Sequence, residues 1–270
     1  MPESPPTLAE IIARKRKQIA QQKVVTPLAS LRALAGMMRF RPKDLSSVLR
    51  ENRVTLIGQV RRYDPAGADG SNPGQPYDPV ALARQLVTQG VQALIVATDA
   101  AQGGGVEHLT LIKQAVHVPV IRQDYIVDEY QVVETRAAGG DGLLLLANVL
   151  DSDTLRGLIS VTQRNLLTEI VQVHSAEELE TVLPFEPRVI AICNHVHDQD
   201  APNLDLTSQL VQLVPGHIAI MSMGGLDSVT DVATVMNGPD GVLLGPELLF
   251  DPESMGAVRR LFDLDDPPRT

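Results

Sequence analysis

Three side chains that can ligate a metal or act as nucleophiles occupy every second position of one short run: Cys193, His195 and His197. If the chain is extended there, alternation places all three on one face. A thiolate with two imidazoles is a ligand set that zinc accepts, and a thiol beside an imidazole can also be a nucleophile with its base. The simpler interpretation is a small buried thiol followed by polar loop residues. We therefore expect no metal site, and these three are the residues that would form one.

Four further residues carry groups that can transfer protons or hold a ligand. They are Asp124, Tyr125, His174 and Asp198. Carboxyl, phenol and imidazole groups are common general acids and bases, because each can give or take a proton at a reacting atom. Whether they act together depends on the elements that position them.

Short β-branched runs alternate with helical patterns from residue 53 onward, which is typical of βα units in a parallel sheet. The predicted strands are 55–60, 93–97, 118–121, 142–146, 167–173, 189–192, 217–222 and 241–244. The predicted helices are 80–88, 106–116, 129–138, 153–162, 176–182, 206–214, 228–236 and 252–262. Eight such pairs in 270 residues predict a single (β/α)8 barrel over residues 53–264, with its active site at the carboxyl ends of the strands.

The residues before the barrel predict an N-terminal helical extension over 1–52. The apolar residues that would share one helical face are Leu8, Ile11, Ile12 and Ile19. We interpret the basic run at 14–17 as a solvated helix face. Residues 61–78, rich in Gly and Pro, predict a long loop over the barrel mouth. We expect residues 265–270 to be a C-terminal tail.

The composition excludes several classes of protein. The chain is 44% hydrophobic and 21% charged, which is typical of a globular domain, and no apolar run reaches the roughly 18 residues of a membrane span. No signal-peptide pattern is present and Cys193 is the single cysteine, so we expect a cytoplasmic protein without disulfides. A net charge of -10, with no Trp, lacks the basic and aromatic surface that nucleic-acid binding uses.

One segment resembles a known family. Residues 118–132 read Val-Pro-Val-Ile-Arg-Gln-Asp-Tyr-Ile-Val-Asp-Glu-Tyr-Gln-Val. They are similar to the stretch Pro-Val-Leu-Arg-Lys-Asp-Phe-Ile-Ile-Asp-Pro-Tyr-Gln-Val of indole-3-glycerol phosphate synthases. The runs 78–83, 130–141 and 173–179 also resemble that family's helix 1, helix 3 and the end of strand 5. The resemblance extends from residue 8 to about 261, and it implies the barrel and its N-terminal extension.

The synthases close and decarboxylate an anilino-deoxyribulose phosphate in tryptophan biosynthesis, without a metal or organic cofactor. The resemblance therefore implies a small, phosphorylated ligand and no cofactor. It also implies positions for the proton-transfer groups, yet these carry other residues here. The family's strand 1 Glu and Lys correspond to Gln59 and Arg61, the strand 3 general-acid lysine to Gln123, and the strand 5 general-base glutamate to Gln172. An amide cannot deliver or take up a proton near neutral pH.

The remaining site positions also differ from the family. On strand 6 an Asn and an Arg correspond to Cys193 and His195. The residues expected to contact a ligand are Arg61, Asp64, Gln123, Tyr125, Gln172 and Asn194. Backbone N–H groups of the last two loops bind phosphate in this barrel class, which assigns Gly224, Gly225 and Gly245 to phosphate. Asp64, in place of a Ser, and Pro246, which has no N–H, oppose phosphate binding.

Three functions remain open. The first is a relative of the synthases that has lost catalysis and binds a small polar or phosphorylated ligand, or a protein partner. The second is a barrel enzyme with altered chemistry, using residues among Asp124, Tyr125, His174, Cys193, His195, His197 and Asp198. The third is a synthase with weak residual activity. Near-isosteric amides at three former charged positions favour the first, because they keep size and hydrogen bonding while removing charge.

Overall fold

The computed structural model describes residues 6–51, 53–62, 77–100, 103–195 and 201–264. Eight parallel strands form a closed barrel in the order of the sequence, β1 to β8, with β8 pairing back to β1. The strands are Thr55–Val60, Ala93–Ala97, Val120–Gln123, Gly142–Leu146, Thr168–Val173, Val189–Cys193, Ala219–Met223 and Gly241–Leu243. The predicted (β/α)8 barrel is confirmed.

Helices follow the strands and cover the outside of the barrel. The helices before β1 are α1 (Leu8–Val25), α2 (Leu28–Met37) and α3 (Leu45–Glu51). Those after it are α4 (Pro79–Thr88), α5 (Glu107–Ala115), α6 (Glu129–Ala137), α7 (Ser152–Arg164), α8 (Ala176–Val182), α9 (Asp205–Val211), α10 (Val229–Thr234), α11 (Pro246–Leu249) and α12 (Pro252–Leu261). Among the described residues, no helix combines the length and the apolar character that crossing a membrane requires.

Several boundaries differ from the sequence-based prediction by a few residues, and two of the differences have a clear physical reason. Strand β3 begins at Val120 rather than at residue 118. Pro119 has no N–H for the ladder, although its carbonyl oxygen accepts from the Leu94 N–H at 2.9 Å. The short helix α11 was not predicted, because four residues leave no periodic pattern; Pro246 begins it at a position where a missing N–H is tolerated.

The N-terminal helices pack on the barrel instead of projecting from it. A capping box, in which Thr7 and Glu10 satisfy each other's backbone N–H groups, begins α1. Arg14, Arg16 and Lys17 are exposed, as expected for a solvated face. The expectation is wrong for Lys15, which is only 6% exposed because its ammonium group reaches two carboxylates at the barrel mouth.

Side-chain alternation divides the core between the inside and the outside of the barrel. The interior cluster includes Ile57, Ile121 and Ile170, whereas their neighbours along the strands pack against the surrounding helices. Two positions further along β1, β3 and β5 are Gln59, Gln123 and Gln172. Because the side-chain period of a strand is two, these amides form a polar layer above the apolar interior, at the end where barrel sites lie.

Candidate ligand-binding site

A cavity of about 190 Å³ opens at the carboxyl ends of strands β2 to β5. Its walls are Leu8, Asp99, Gln123, Asp124, Tyr125, Leu144, Leu146, Asn148, Val149, Gln172 and His174. Small-molecule sites generally measure about 300–1,000 Å³, so the described walls suit a small ligand. The first residue of α1 closes one side. The structure thus brings together three of the predicted ligand contacts, Gln123, Tyr125 and Gln172.

Two amides form the floor of the site between β1 and β3. Gln59 donates from Nε2 to Oε1 of Gln123 at 2.5 Å. The resemblance places a carboxylate and an ammonium at these positions, and here two neutral amides are hydrogen-bonded to each other instead. Neither amide can transfer a proton near neutral pH. This contact holds the shape of the site without its charge.

A second polar group surrounds His174 after β5. Its Nδ1 lies 3.2 Å from Oε2 of Glu178, and its Nε2 lies 3.0 Å from Nε2 of Gln172. Burial opposes protonation of the ring, but hydrogen bonds with Cys193 and Glu178 outweigh it and raise the pKa of His174 to about 9. A protonated ring donates from both nitrogens, so Gln172 then turns its amide oxygen towards Nε2. An amide can serve either state of the imidazole by flipping.

Paired charges support the other wall of the cavity. Asp124 accepts from Lys15 at 2.7 Å, from Arg122 at 3.0 Å and from the Thr98 hydroxyl at 2.9 Å. Burial raises the pKa of Asp124, but the Arg122 guanidinium and the Lys15 ammonium outweigh it, so the net pKa is lowered. Asp124 is therefore an ionised structural anchor rather than a proton donor at neutral pH. Lys15 also lies 3.6 Å from Asp99.

Sequence reasoning missed six residues that line the cavity: Leu8, Asp99, Leu144, Leu146, Asn148 and Val149. Asn148 and Asp99 follow β4 and β2 directly, so their position after a strand was a usable signal. Leu8 lies more than one hundred residues before Gln123 along the chain, and nothing in the sequence near it indicates that it reaches the cavity. The phenol of Tyr125 faces the same cavity, and burial followed by the charges of Asp99 and Asp124 raises its pKa.

The turn after β7 keeps its glycines, but the protein's own atoms fill the space beside them. Gly224 and Gly225 have φ angles of +85° and +70°, which favour glycine. A Cβ at Gly224 would lie 2.9 Å from Cδ2 of His195, and one at Gly225 would lie 2.3 Å from Pro202. The lack of a side chain here accommodates neighbouring residues.

The loop before α11 shows the same filling with a carboxyl group. A Cβ at Gly245 would lie 1.9 Å from Oδ1 of Asp227, and the Gly245 N–H already donates to the Leu226 carbonyl at 2.8 Å. Burial, followed by the charge and hydrogen bond of Glu247, raises the pKa of Asp227. Two carboxyl groups thus meet at the end of the barrel where the resemblance assigns phosphate.

The remaining predicted residues lie apart from the cavity. Asn194 is fully buried, and its side chain bonds with Ser222, Thr207 and the Gly224 carbonyl. Its amide is therefore used within the protein. Arg61 follows β1 and is half-buried.

The three residues that would form a metal site are only partly within the described residues. Cys193 is buried and His195 is exposed at the end of β6. Asp64, His197 and Asp198 lie outside the described residues. Within the residues that are described, no group of three or more His, Cys, Asp or Glu side chains could hold a metal ion.

Comparison with known proteins identifies the family. The family model for indole-3-glycerol phosphate synthase matches residues 8–261. The chain belongs to the indole-3-glycerol phosphate synthase family. The synthase of Roseiflexus sp. (strain RS-1) is 32% identical over 266 residues, covering 94% of this chain and 97% of the relative. That of Geobacillus kaustophilus (strain HTA426) is 32% identical over 264 residues, covering 96% and 98%.

The solved structures support the fold. Thiamine phosphate pyrophosphorylase from Pyrococcus furiosus superposes with a TM-score of 0.57 at 15% identity, covering 82% of this chain and 98% of that one. At this identity the likeness concerns the barrel alone. Membership of the synthase family therefore fixes the architecture and the end of the barrel that holds the site, while the side chains described above determine what that site can do.

Proposed function

We propose that this member of the synthase family binds a small, polar, unphosphorylated ligand in the cavity and does not catalyse indole-3-glycerol phosphate formation. The contact between Gln59 and Gln123 carries this proposal. Ring closure with decarboxylation needs groups that move protons and hold charge, and the amide pair supplies neither. Its members are hydrogen-bonded to each other, so the site retains an ordered polar floor.

The size of the expected loss follows from the groups replaced. A general acid or base contributes about 10²–10⁴ in rate, so losing the acid and the base at Gln123 and Gln172 would cost roughly 10⁴–10⁸ if they acted independently. Residues that act as a unit are not additive, so the true loss is smaller than the product. Even the loss of one such group, by a factor of about 10²–10⁴, would take turnover far below that of an ordinary enzyme.

The absence of phosphate from the proposed ligand rests on the opposite end of the site. The space beside Gly245 holds the carboxyl group of Asp227, which contacts Glu247. A carboxylate about 4 Å from a phosphate charge costs on the order of 1 kcal/mol in water and more in a cleft. Two such groups would oppose a phosphorylated ligand.

Thermal-shift measurements with defined compounds test this proposal. Small neutral polyols and small carboxylates are expected to raise the melting temperature, because a ligand at 100 times its Kd stabilises by about 2.7 kcal/mol. Ribose 5-phosphate and inorganic phosphate should not. Leu146→Phe narrows the cavity and should abolish the shift, whereas Leu213→Phe, at an exposed position outside it, should retain it.

The outcomes separate the ligand classes. A shift with phosphate compounds that Leu146→Phe removes would contradict the unphosphorylated ligand. No shift with any compound would contradict ligand binding and favour a protein partner. A synthase with altered catalytic residues is the second candidate, and the observation in its favour is a match to synthases over nearly their whole length.

A further inference from the structure

The only cysteine of the sequence lies beside His174 at the carboxyl ends of two paired strands. Strand β5 pairs with β6 so that Val173 is opposite Ile192. The next position on each strand is therefore His174 and Cys193. Cys193 belongs to the interior cluster of the barrel, and His174 lines the cavity, so both lie on the ligand side of the sheet.

His174 connects the thiol to a carboxylate. His174 is the neighbour of Cys193 on the paired strand, and its Nδ1 lies 3.2 Å from Oε2 of Glu178. The same carboxylate oxygen accepts from the His174 backbone N–H at 2.8 Å, and the Glu178 N–H donates to Ser175 Oγ at 3.2 Å. Glu178 is thus fixed by the first turn of α8, and it orients the ring. A thiol, an imidazole and an orienting carboxylate are the three parts of an activated nucleophile.

An amide donor stands next to this group. The Nε2 atom of Gln172 lies 3.0 Å from Nε2 of His174, and the Gln172 side chain lines the cavity. If this amide turned towards a bound ligand, its N–H groups could stabilise an oxygen that becomes negatively charged.

We propose that Cys193, His174 and Glu178 form a nucleophilic site that accepts the acyl group of a small ester or thioester entering the cavity. The Cys193 sulfur attacks the carbonyl carbon, a C–S bond forms, and the carbonyl electron pair moves to oxygen. When the carbonyl reforms, the bond to the leaving group breaks, and the leaving alkoxide or thiolate takes a proton from His174. Water then attacks the thioester carbonyl while His174 takes up its proton, the C–S bond breaks, and the products are a carboxylic acid and the Cys193 thiolate beside a protonated His174.

The charge of the ring supports this assignment. Burial opposes protonation of the His174 ring, yet Cys193 on β6 and Glu178 on α8 raise its pKa to about 9. The protonated ring is therefore placed to give its proton to the leaving group. Glu178 is a positioning residue in this scheme, since it acts through the imidazole.

Acylation by p-nitrophenyl acetate tests the site in the intact chain. Because the sequence has one cysteine, the gain of one acetyl group by intact mass reports Cys193 once Cys193→Ser has been shown to abolish it. At pH 7 the folded protein should release p-nitrophenolate at least tenfold faster than the same protein unfolded in urea. Glu178→Gln should slow acylation at least tenfold, and the matched change Glu177→Gln, exposed on the same helix, should not.

The pH profile separates positioning from a merely structural effect. Between pH 6 and 8 the rate in the wild-type protein should change less than about threefold, whereas an ordinary thiol, with a pKa near 8.5, gains roughly 50-fold or more. Glu178→Gln should approach the ordinary profile while retaining the circular dichroism of the wild type. Acetylation no faster than in urea, or equal rates for wild type and Glu178→Gln, would overturn the proposal. Acyl transfer is measured by mass and ligand binding by thermal shift. A failure of acylation would therefore not contradict the proposed ligand binding, which the thermal-shift experiment tests separately.

Discussion

The two ends of the site have departed from the synthase pattern in opposite ways. At β1, β3 and β5 the space is retained and the charge is removed, since Gln59, Gln123 and Gln172 are amides. At β7 and β8 the glycines are retained and the space is filled, since Asp227 lies against Gly245. Retained glycines therefore do not mean retained space, and replaced side chains do not mean a lost cavity.

The two ends also differ in how their charges are balanced. Asp124 beside the cavity is buried between two cations, and these lower its pKa. Asp227 at the other end meets another carboxyl group, and burial together with Glu247 raises its pKa. The cavity wall is thus held by compensated charges, whereas the filled end holds like charges. Removing the Asp124 carboxylate should therefore destabilise the protein, whereas removing that of Asp227 should favour phosphate binding.

The largest effect is expected from removing the anchor of the cavity wall. Asp124→Ala should lower the free energy of unfolding by about 3 kcal/mol, the lower end for breaking a buried ion pair. The loss stays near that limit because Lys15 retains Asp99 and Arg122 retains Glu134. Urea denaturation measures it. Asp153→Ala, at an exposed carboxylate on α7, is the control and should cost well under 1 kcal/mol.

The same anchor predicts a dependence on acid. The pKa of Asp124 is lowered in the folded protein, so its contribution is present above the unfolded value, near 3.9, and is lost as pH falls through the folded value. Urea midpoints of the wild type should therefore fall more steeply below pH 4 than those of Asp124→Asn. Parallel curves for the two proteins would contradict the assignment.

A second effect concerns the proton on His174. NMR titration of the imidazole should give a pKa of about 9, because Cys193 and Glu178 outweigh the burial of the ring. The folded pKa is raised, so this group's stabilisation is complete below about pH 6.5 and is lost as pH rises through about 9. Glu178→Gln should lower the pKa. A value near 6.5 in the wild type would show that the contacts do not hold the proton.

The filled end predicts a smaller, specific gain. Asp227→Ala with Glu247→Gln should raise affinity for inorganic phosphate about tenfold or more, since it removes both repulsion and bulk. The matched pair Asp227→Asn with Glu247→Gln removes the charge but keeps the bulk, and it should gain less. Calorimetry measures both. Equal affinity in all three proteins would remove the contrast between the two ends.

The smallest effect is expected within the amide pair. Gln123→Ala removes one neutral hydrogen bond to Gln59 and should cost about 1 kcal/mol of unfolding free energy. Gln21→Ala, exposed on α1, is the control. A cost of about 3 kcal/mol, as expected for Asp124→Ala, would mean that the pair behaves like a buried ion pair rather than like neutral amides.

The barrel was predictable because strand and helix periodicities are local properties of the sequence. The β-branched run at Thr55–Val60 and the alternating pattern after it need no tertiary information. Gln123 and Gln172, which the resemblance assigned to strand ends, both line one cavity in the structure.

The rest depended on contacts between distant parts of the chain. Lys15 was interpreted as part of a solvated basic run, because nothing near it indicates Asp124, to which it is paired. Leu8 was missed as a wall of the cavity for the same reason. The glycine at 245 matched its family, but the sequence could not show that Asp227 fills the space beside it.

The central claim is that amides have removed the proton chemistry of the synthase while keeping its cavity. The most direct measurement incubates the purified protein with the anilino-deoxyribulose phosphate and follows indole fluorescence, with a catalytically active synthase as the control. We expect no product above the rate without protein. Product formation at an ordinary enzymatic turnover, on the order of 1 s⁻¹ or faster, would contradict the claim.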